Sequence, residues 1–416
     1  MVSFKPKGSC LFTRNFSYTR PLCTIRENEN IMRNIIYFTI VILFIGCKER
    51  QRNIPKNTPA NQKEIQIEIN KNIETIGIIL NLSDLGDYIL GKYHGNDYSL
   101  VKLYRKEFDE FKSHPAVLKV NELGKLDLLQ FGYYYYGLSF TELPEFKLLY
   151  PRFDEFYSSD ELTKEQIEKE LQEFDKLVKD FYLDAQIETF LSRNKTFYDK
   201  VIAETKKTIP NNIIATMENF FGEFEDKYAI CPSPTIFTSF NFGPSIVSKN
   251  HKLSYYLLGP AYDLKPNRKH FNEISTKDSL GFNDKEYVRE LAIHEFGHSF
   301  VRFIDKKNNK NLIEQLSYLN TNKLKENLEK IGEGTKWSTG FEEHLVRATE
   351  IMVWRKLGEQ KIADEKLKYE REVEGLLYIN QFVNSLEKYE SKRDEYITLE
   401  SYFTELVSDL MNIKNK

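Results

Sequence analysis

The run His294-Glu295-Phe296-Gly297-His298 constrains this chain more than any other stretch. It lies inside YVRELAIHEFGHSFVRFID, which reads as one helix. A helix turns once in about 3.6 residues, so side chains at i and i+4 stand one above the other. His294 and His298 therefore present two imidazoles on one face, spaced to share a single metal ion. Glu295 points to a neighbouring side, where it can act as a base without being a ligand. Asn283 is expected to cap the helix, with Glu286 reaching back. Val288, Leu291, Ala292, Phe296, Phe300, Val301 and Phe303 around the motif predict a buried helix and a dry cavity. Two histidines and a glutamate are costly to bury unless something satisfies them. Gly297 costs roughly 1 kcal/mol of helix stability against alanine, which close approach of another element would explain.

Composition excludes some partners. A net charge of −3 with interleaved acids and bases gives no footprint for nucleic acid. The 30 Phe and 25 Tyr suit a filled core and an aromatic cleft. Of the four cysteines, Cys231 stands in an apolar run and reads as a small core residue.

The amino terminus reads as a targeting segment. Residues 1–31 are expected to be an extension upstream of the true start at Met32. From Met32 a basic residue, Arg33, precedes an apolar run of roughly a dozen residues, too short for a membrane-spanning helix, which needs about twenty. The run ends in Phe44-Ile45-Gly46-Cys47, which resembles the lipobox of bacterial lipoproteins. That resemblance implies a signal peptide over 32–46, a lipid on Cys47 and a place in the bacterial cell envelope, outside the cytoplasm. The polar stretch 47–63 reads as a tether.

Residues 64–210 read as a helical amino-terminal lobe. Glu64–Asn70 alternates as a strand would. Thr163 opens a strong helix with Gln166 as its capping-box partner. His114, before a proline, reads as a helix-boundary residue, and Tyr133–Tyr136 as a packed aromatic run or a groove lining. Residues 211–416 form the second part. Thr235–Phe240, Ser245–Val247 and Leu253–Leu258 read as short strands of a small antiparallel or mixed sheet. Leu253–Leu258, just upstream of the two histidines, is a candidate edge for an extended peptide.

A catalytic zinc site has three protein ligands and an open position. The metzincin pattern is excluded, because Val301 and Ile304 occupy its glycine and histidine positions, and Asp305 is one residue out of register. The better source is Phe341-Glu342-Glu343-His344-Leu345-Val346-Arg347-Ala348. HEFGH followed by this helix resembles the gluzincin metallopeptidases, in which a glutamate on a second helix completes the site. More narrowly, the two motifs are similar to a bacterial domain-of-unknown-function family of secreted metallopeptidase-like proteins. The resemblance implies an α+β, zincin-like fold, predominantly helical, with a small sheet before the active-site helix. It implies Zn2+ on His294, His298 and Glu343, with Glu342 as the alternative ligand and Glu295 as general base.

Arg347, one turn after Glu343, can orient that carboxylate. His344 is read as solvent-facing or as an oxyanion donor, and Glu350 as structural. The implied activity is hydrolysis of a peptide or protein substrate by metal-activated water. Two rival readings remain: a non-catalytic zincin-like lipoprotein that binds peptide or glycan, and a zinc hydrolase of a non-peptide amide.

Overall fold

The structure, a computed structural model, describes residues 64–413 apart from 95–97, 158, 160, 211 and 265–267. The extension, the signal peptide, Cys47 and the tether lie outside the described residues. No described helix is long and apolar enough to cross a membrane.

The chain is predominantly helical with one small mixed sheet. Strand β1 (Gln66–Ile67) is followed by α1 (Lys71–Leu82), whose Asn70 cap accepts from the Asn72 and Ile73 amides. Nearly all of α1 is buried, so it forms the spine of the amino-terminal part. Around it come α2 (Asp84–His94), α3 (Ser99–Glu107), α4 (Pro115–Lys125) and the short α5 (Tyr133–Tyr136). His114 caps α4 by accepting from the Ala116 amide at 3.1 Å. The tyrosine run is core: Tyr133, Tyr134 and Tyr136 are buried. Thr163 and Gln166 make the capping box that opens α6 (Lys164–Asp184). Then follow α7 (Ile187–Arg193), α8 (Lys195–Lys206) and α9 (Ile213–Phe221).

The sheet holds β2 (Lys227–Pro232), β3 (Asn241–Phe242), β4 (Ser245–Val247) and β5 (Lys252–Leu258). Its order is β1-β2-β5-β3, with β4 also on β5. β1 and β2 run parallel to each other and β2 parallel to β5, while β3 and β4 run antiparallel to β5. Leu253–Leu258 is therefore not an edge. It is the central strand, paired on both sides and buried throughout. Its unbroken run Leu-Ser-Tyr-Tyr-Leu-Leu is the pattern of a strand covered on both faces. Thr235–Phe240 is not a strand either. Ser233 Oγ takes the Thr235 amide, Ser239 has a positive φ of 66°, and the segment turns under α1. There Asn81 donates to the Thr235 carbonyl at 2.9 Å.

The long helices follow: α10 (Lys285–Val301), α11 (Lys307–Glu314), α12 (Asn322–Lys330), α13 (Trp337–Lys356), α14 (Gln360–Glu372), α15 (Ile379–Ser391) and α16 (Leu399–Met411). α10 is capped by Asp284, which accepts from the Tyr287 amide at 3.0 Å. Asn283 has its side chain engaged with Tyr262 and Ser279 instead. Phe296 meets Tyr228 and Tyr256 edge-on, and Phe300 stacks on Phe221, so α10 is clamped between the sheet and α9. On its other side lies α13. A Cβ on Gly297 would stand 3.2 Å from Val346 Cγ1, tighter than ordinary packing. The glycine marks the crossing of the two helices, and larger side chains there would push them apart.

Candidate metal centre

His294 and Glu295 are buried and His298 nearly so. One turn separates the two imidazoles, whose rings stand at 85° with Nε2 atoms 3.3 Å apart. From α13, Glu343 enters between them. Its Oε1 lies 3.7 Å from His298 Nε2, and its Oε2 lies 4.0 Å from His294 Nε2. Glu343 is fully buried, and its Oε1 has no hydrogen-bond partner. A buried carboxylate oxygen left this way is costly. Ligand atoms of a tetrahedral ion held at about 2.0–2.1 Å stand roughly 3.3 Å apart, close to the spacing here. The group His294, His298 and Glu343 could hold a metal ion.

The atoms behind the ligands favour the same direction. His298 Nδ1–H donates to Glu342 Oε1 at 3.0 Å, which leaves Nε2 to face inward. Burial alone would push the His298 imidazole down, but Glu342, Glu343 and Glu295 outweigh it and push it up to about 9. A pocket that binds a proton this tightly is short of positive charge. Behind the other histidine, Glu350 Oε2 stands 3.6 Å from His294 Nδ1. Carboxylates in these places fix ring orientation and tautomer in metal sites. Behind Glu343, Arg347 donates from Nε to Oε2 at 3.1 Å. Burial opposes the guanidinium charge, but Glu370, Glu343, Glu374 and Glu333 hold it protonated.

Glu295 faces a different surface. A Cβ on Gly243 would come within 2.8 Å of Glu295 Oε2 and 2.4 Å of its backbone oxygen. Only glycine lets the segment between β3 and β4 pass this closely over the helix. Residues 241–247 are thus the outer strand above the site, and among the described residues no strand pairs with their other side. Asn241 is held there by Tyr256, which donates to its Oδ1 at 3.1 Å, and it donates in turn to Tyr287.

Three sequence expectations change in place or role. Glu342 is not at the ligand position but holds the far nitrogen of His298. Arg347 donates to Glu343, the carboxylate its spacing predicts it to orient, and is wholly buried among three glutamates. Glu350, read as merely structural, stands behind His294. His344 is neither exposed nor an oxyanion donor. It packs against Tyr378 and Phe382, Nδ1–H donates to the Gly340 carbonyl, and burial pushes it down to about 4. Asp305 lies outside the group and pairs with Lys310 at 3.0 Å. Cys231 is a buried free thiol in β2. The roles of Glu342 and Glu350 leave one trace in sequence: each is a glutamate on the same helix as Glu343, one residue before it and seven after it. That spacing permits a shared face, but only the crossing with α10 decides which histidine each one meets.

These features define an α+β, mostly helical chain with a buried His2Glu group able to hold a metal. Residues 65–409 match the family described as a domain of unknown function, DUF4932, and the chain belongs to that family. Neither a curated protein nor a solved structure matches the chain.

Proposed function

We propose that this chain is a zinc-dependent peptidase of the bacterial cell envelope. The observation that carries the reading is the convergence of His294 Nε2, His298 Nε2 and a Glu343 oxygen, with Glu295 beside them and not among them. A borderline-to-hard set of two imidazoles and one carboxylate suits zinc, and zinc there would supply Lewis acidity and a more acidic water. Glu295 takes a proton from the attacking water and returns it to the leaving amine, a role worth typically 10²–10⁴ in rate. Gly243 holds the outer strand against Glu295, and an extended peptide pairing with the 241–247 edge would carry its scissile bond past that carboxylate. Glu342, Glu350 and Arg347 keep the ligands aimed while substrate enters and leaves.

The test is zinc content and peptide cleavage in wild type, Glu295→Gln and Glu343→Ala. Glu295→Gln is expected to keep zinc and lose turnover, while Glu343→Ala loses the zinc itself. Full activity in Glu295→Gln would remove the general base from the account. We also propose that Cys47 carries the lipid that holds the chain at the membrane, a reading supported by the Gly46-Cys47 pattern after the apolar run. Mass spectrometry of membrane-extracted protein checks it, and an unmodified peptide spanning Gly46-Cys47 would contradict it.

A further inference from the structure

α14 carries none of the metal-group residues, yet its buried face is unusual. Its buried residues are Ala363, Lys366 and Glu370. A helix on the outside of a fold ordinarily docks through an apolar stripe. Here the stripe holds a full charge pair, one turn apart, whose removal from water is expensive and seldom repaid in stability. Something other than docking has to account for it.

The contacts of the pair lead to the metal group from both ends. Lys366 Nζ stands 3.1 Å from Glu350 Oε1 and 3.1 Å from Glu370 Oε1, and it also pairs with Glu290. Glu350 is the carboxylate behind His294. Glu370 Oε2 accepts from Arg347 Nη1 at 3.0 Å, and Arg347 holds Glu343. The charges form one buried path: His294, Glu350, Lys366, Glu370, Arg347, Glu343. It starts behind one ligand and ends behind another.

We propose that Lys366 and Glu370 are positioning residues that couple His294 to Glu343, so that α14 sets how tightly the site holds its metal. This rests on the metal reading above. Lys366 fixes Glu350, and Glu350 fixes the His294 ring. Glu370 fixes Arg347, and Arg347 occupies Glu343 Oε2, which leaves Oε1 turned toward His298 Nε2. Five carboxylates, Glu290, Glu333, Glu343, Glu350 and Glu370, face the two cations Arg347 and Lys366, an excess of negative charge that favours a dication over an empty centre.

The test is zinc affinity of the full chain by competition with a chromophoric chelator, with the thermal midpoint of the zinc-free chain measured alongside. The double variant Lys366→Met, Glu370→Leu removes one charge of each sign, so the net charge is unchanged. Its zinc affinity is expected to fall about tenfold, the scale of lost support behind a ligand. Its zinc-free thermal midpoint is expected to fall, because Glu350 loses Lys366 and Arg347 loses Glu370, so zinc affinity is read at a temperature where both chains are folded. Lys366→Arg, which keeps the charge, should bind zinc within about threefold of wild type. If the double variant does not fold, Glu370→Gln serves, since it keeps the shape and removes only the charge, and weaker zinc binding is again expected. Wild-type zinc affinity in the folded charge-removed variant overturns the coupling while leaving the metal reading intact. A wild type that binds no zinc overturns both.

Discussion

Two glutamates are wholly buried on helices with little exposed surface, Glu74 on α1 and Glu343 on α13, and they are treated in opposite ways. Glu74 sits among hydroxyls. Ser233 donates to Oε1, while Tyr198 and Tyr104 donate to Oε2 at 3.0 and 3.3 Å. Both oxygens are satisfied with neutral groups, and burial still pushes the carboxyl up to about 7. Glu343 has an arginine on Oε2, which also lies 4.0 Å from His294 Nε2, while Oε1 faces His298 Nε2 at 3.7 Å with no hydrogen bond to complete it. A buried polar network that closes on itself is part of the core. One that leaves an oxygen open beside two imidazoles is a group that a metal ion could complete. The contrast separates a self-contained acid from one placed where it could hold a metal, without reference to any motif.

Arg347 gives the sharpest way to break the comparison. It serves Glu343, Glu333 and Glu370 together, and Arg347→Met strands three buried carboxylates. Loss of one partner from a buried pair costs about 3–5 kcal/mol, so urea unfolding of the zinc-free chain should show a loss of that order. The hydroxyl-lined acid responds in pH instead. Its folded value of about 7 lies above its ordinary 4.5, so the folded chain holds the proton more tightly than the unfolded chain. Wild-type stability relative to Glu74→Gln should therefore be highest below about pH 4.5 and decline until about pH 7, by about 3 kcal/mol in all. A flat difference across that window would mean that Glu74 is not held neutral.

Smaller effects are expected at the metal. Glu342→Gln weakens the hold on His298, and zinc affinity measured by chelator competition should fall about 10–100-fold. The proton on His298 competes with the metal, since its imidazole is pushed up to about 9. Zinc affinity should therefore rise by about tenfold per pH unit toward pH 9, with release of a proton that calorimetry in buffers of different ionisation enthalpy detects.

The sequence made the two histidines legible because both lie on one helix at a spacing that geometry alone interprets. Glu343 came from resemblance, since nothing local fixes the register of α13. Nearly every residue from Gly340 to Trp354 is buried, so no polar face marks the helix orientation. The same difficulty hid β5, whose continuous apolar run does not reveal that both its edges are paired. It also hid the tight passage at Gly243, which depends on a contact with Glu295 far along the chain. Lys366 and Glu370 read as ordinary charges on a charged helix until α13 and α14 are packed together.

The most direct measurement is the metal content of the purified chain, wild type against Glu343→Ala, by mass spectrometry of the intact protein and elemental analysis. The account predicts one zinc per wild-type chain and none in the variant, with the variant still folded. A metal-free wild type, or a variant that keeps its zinc, would contradict it.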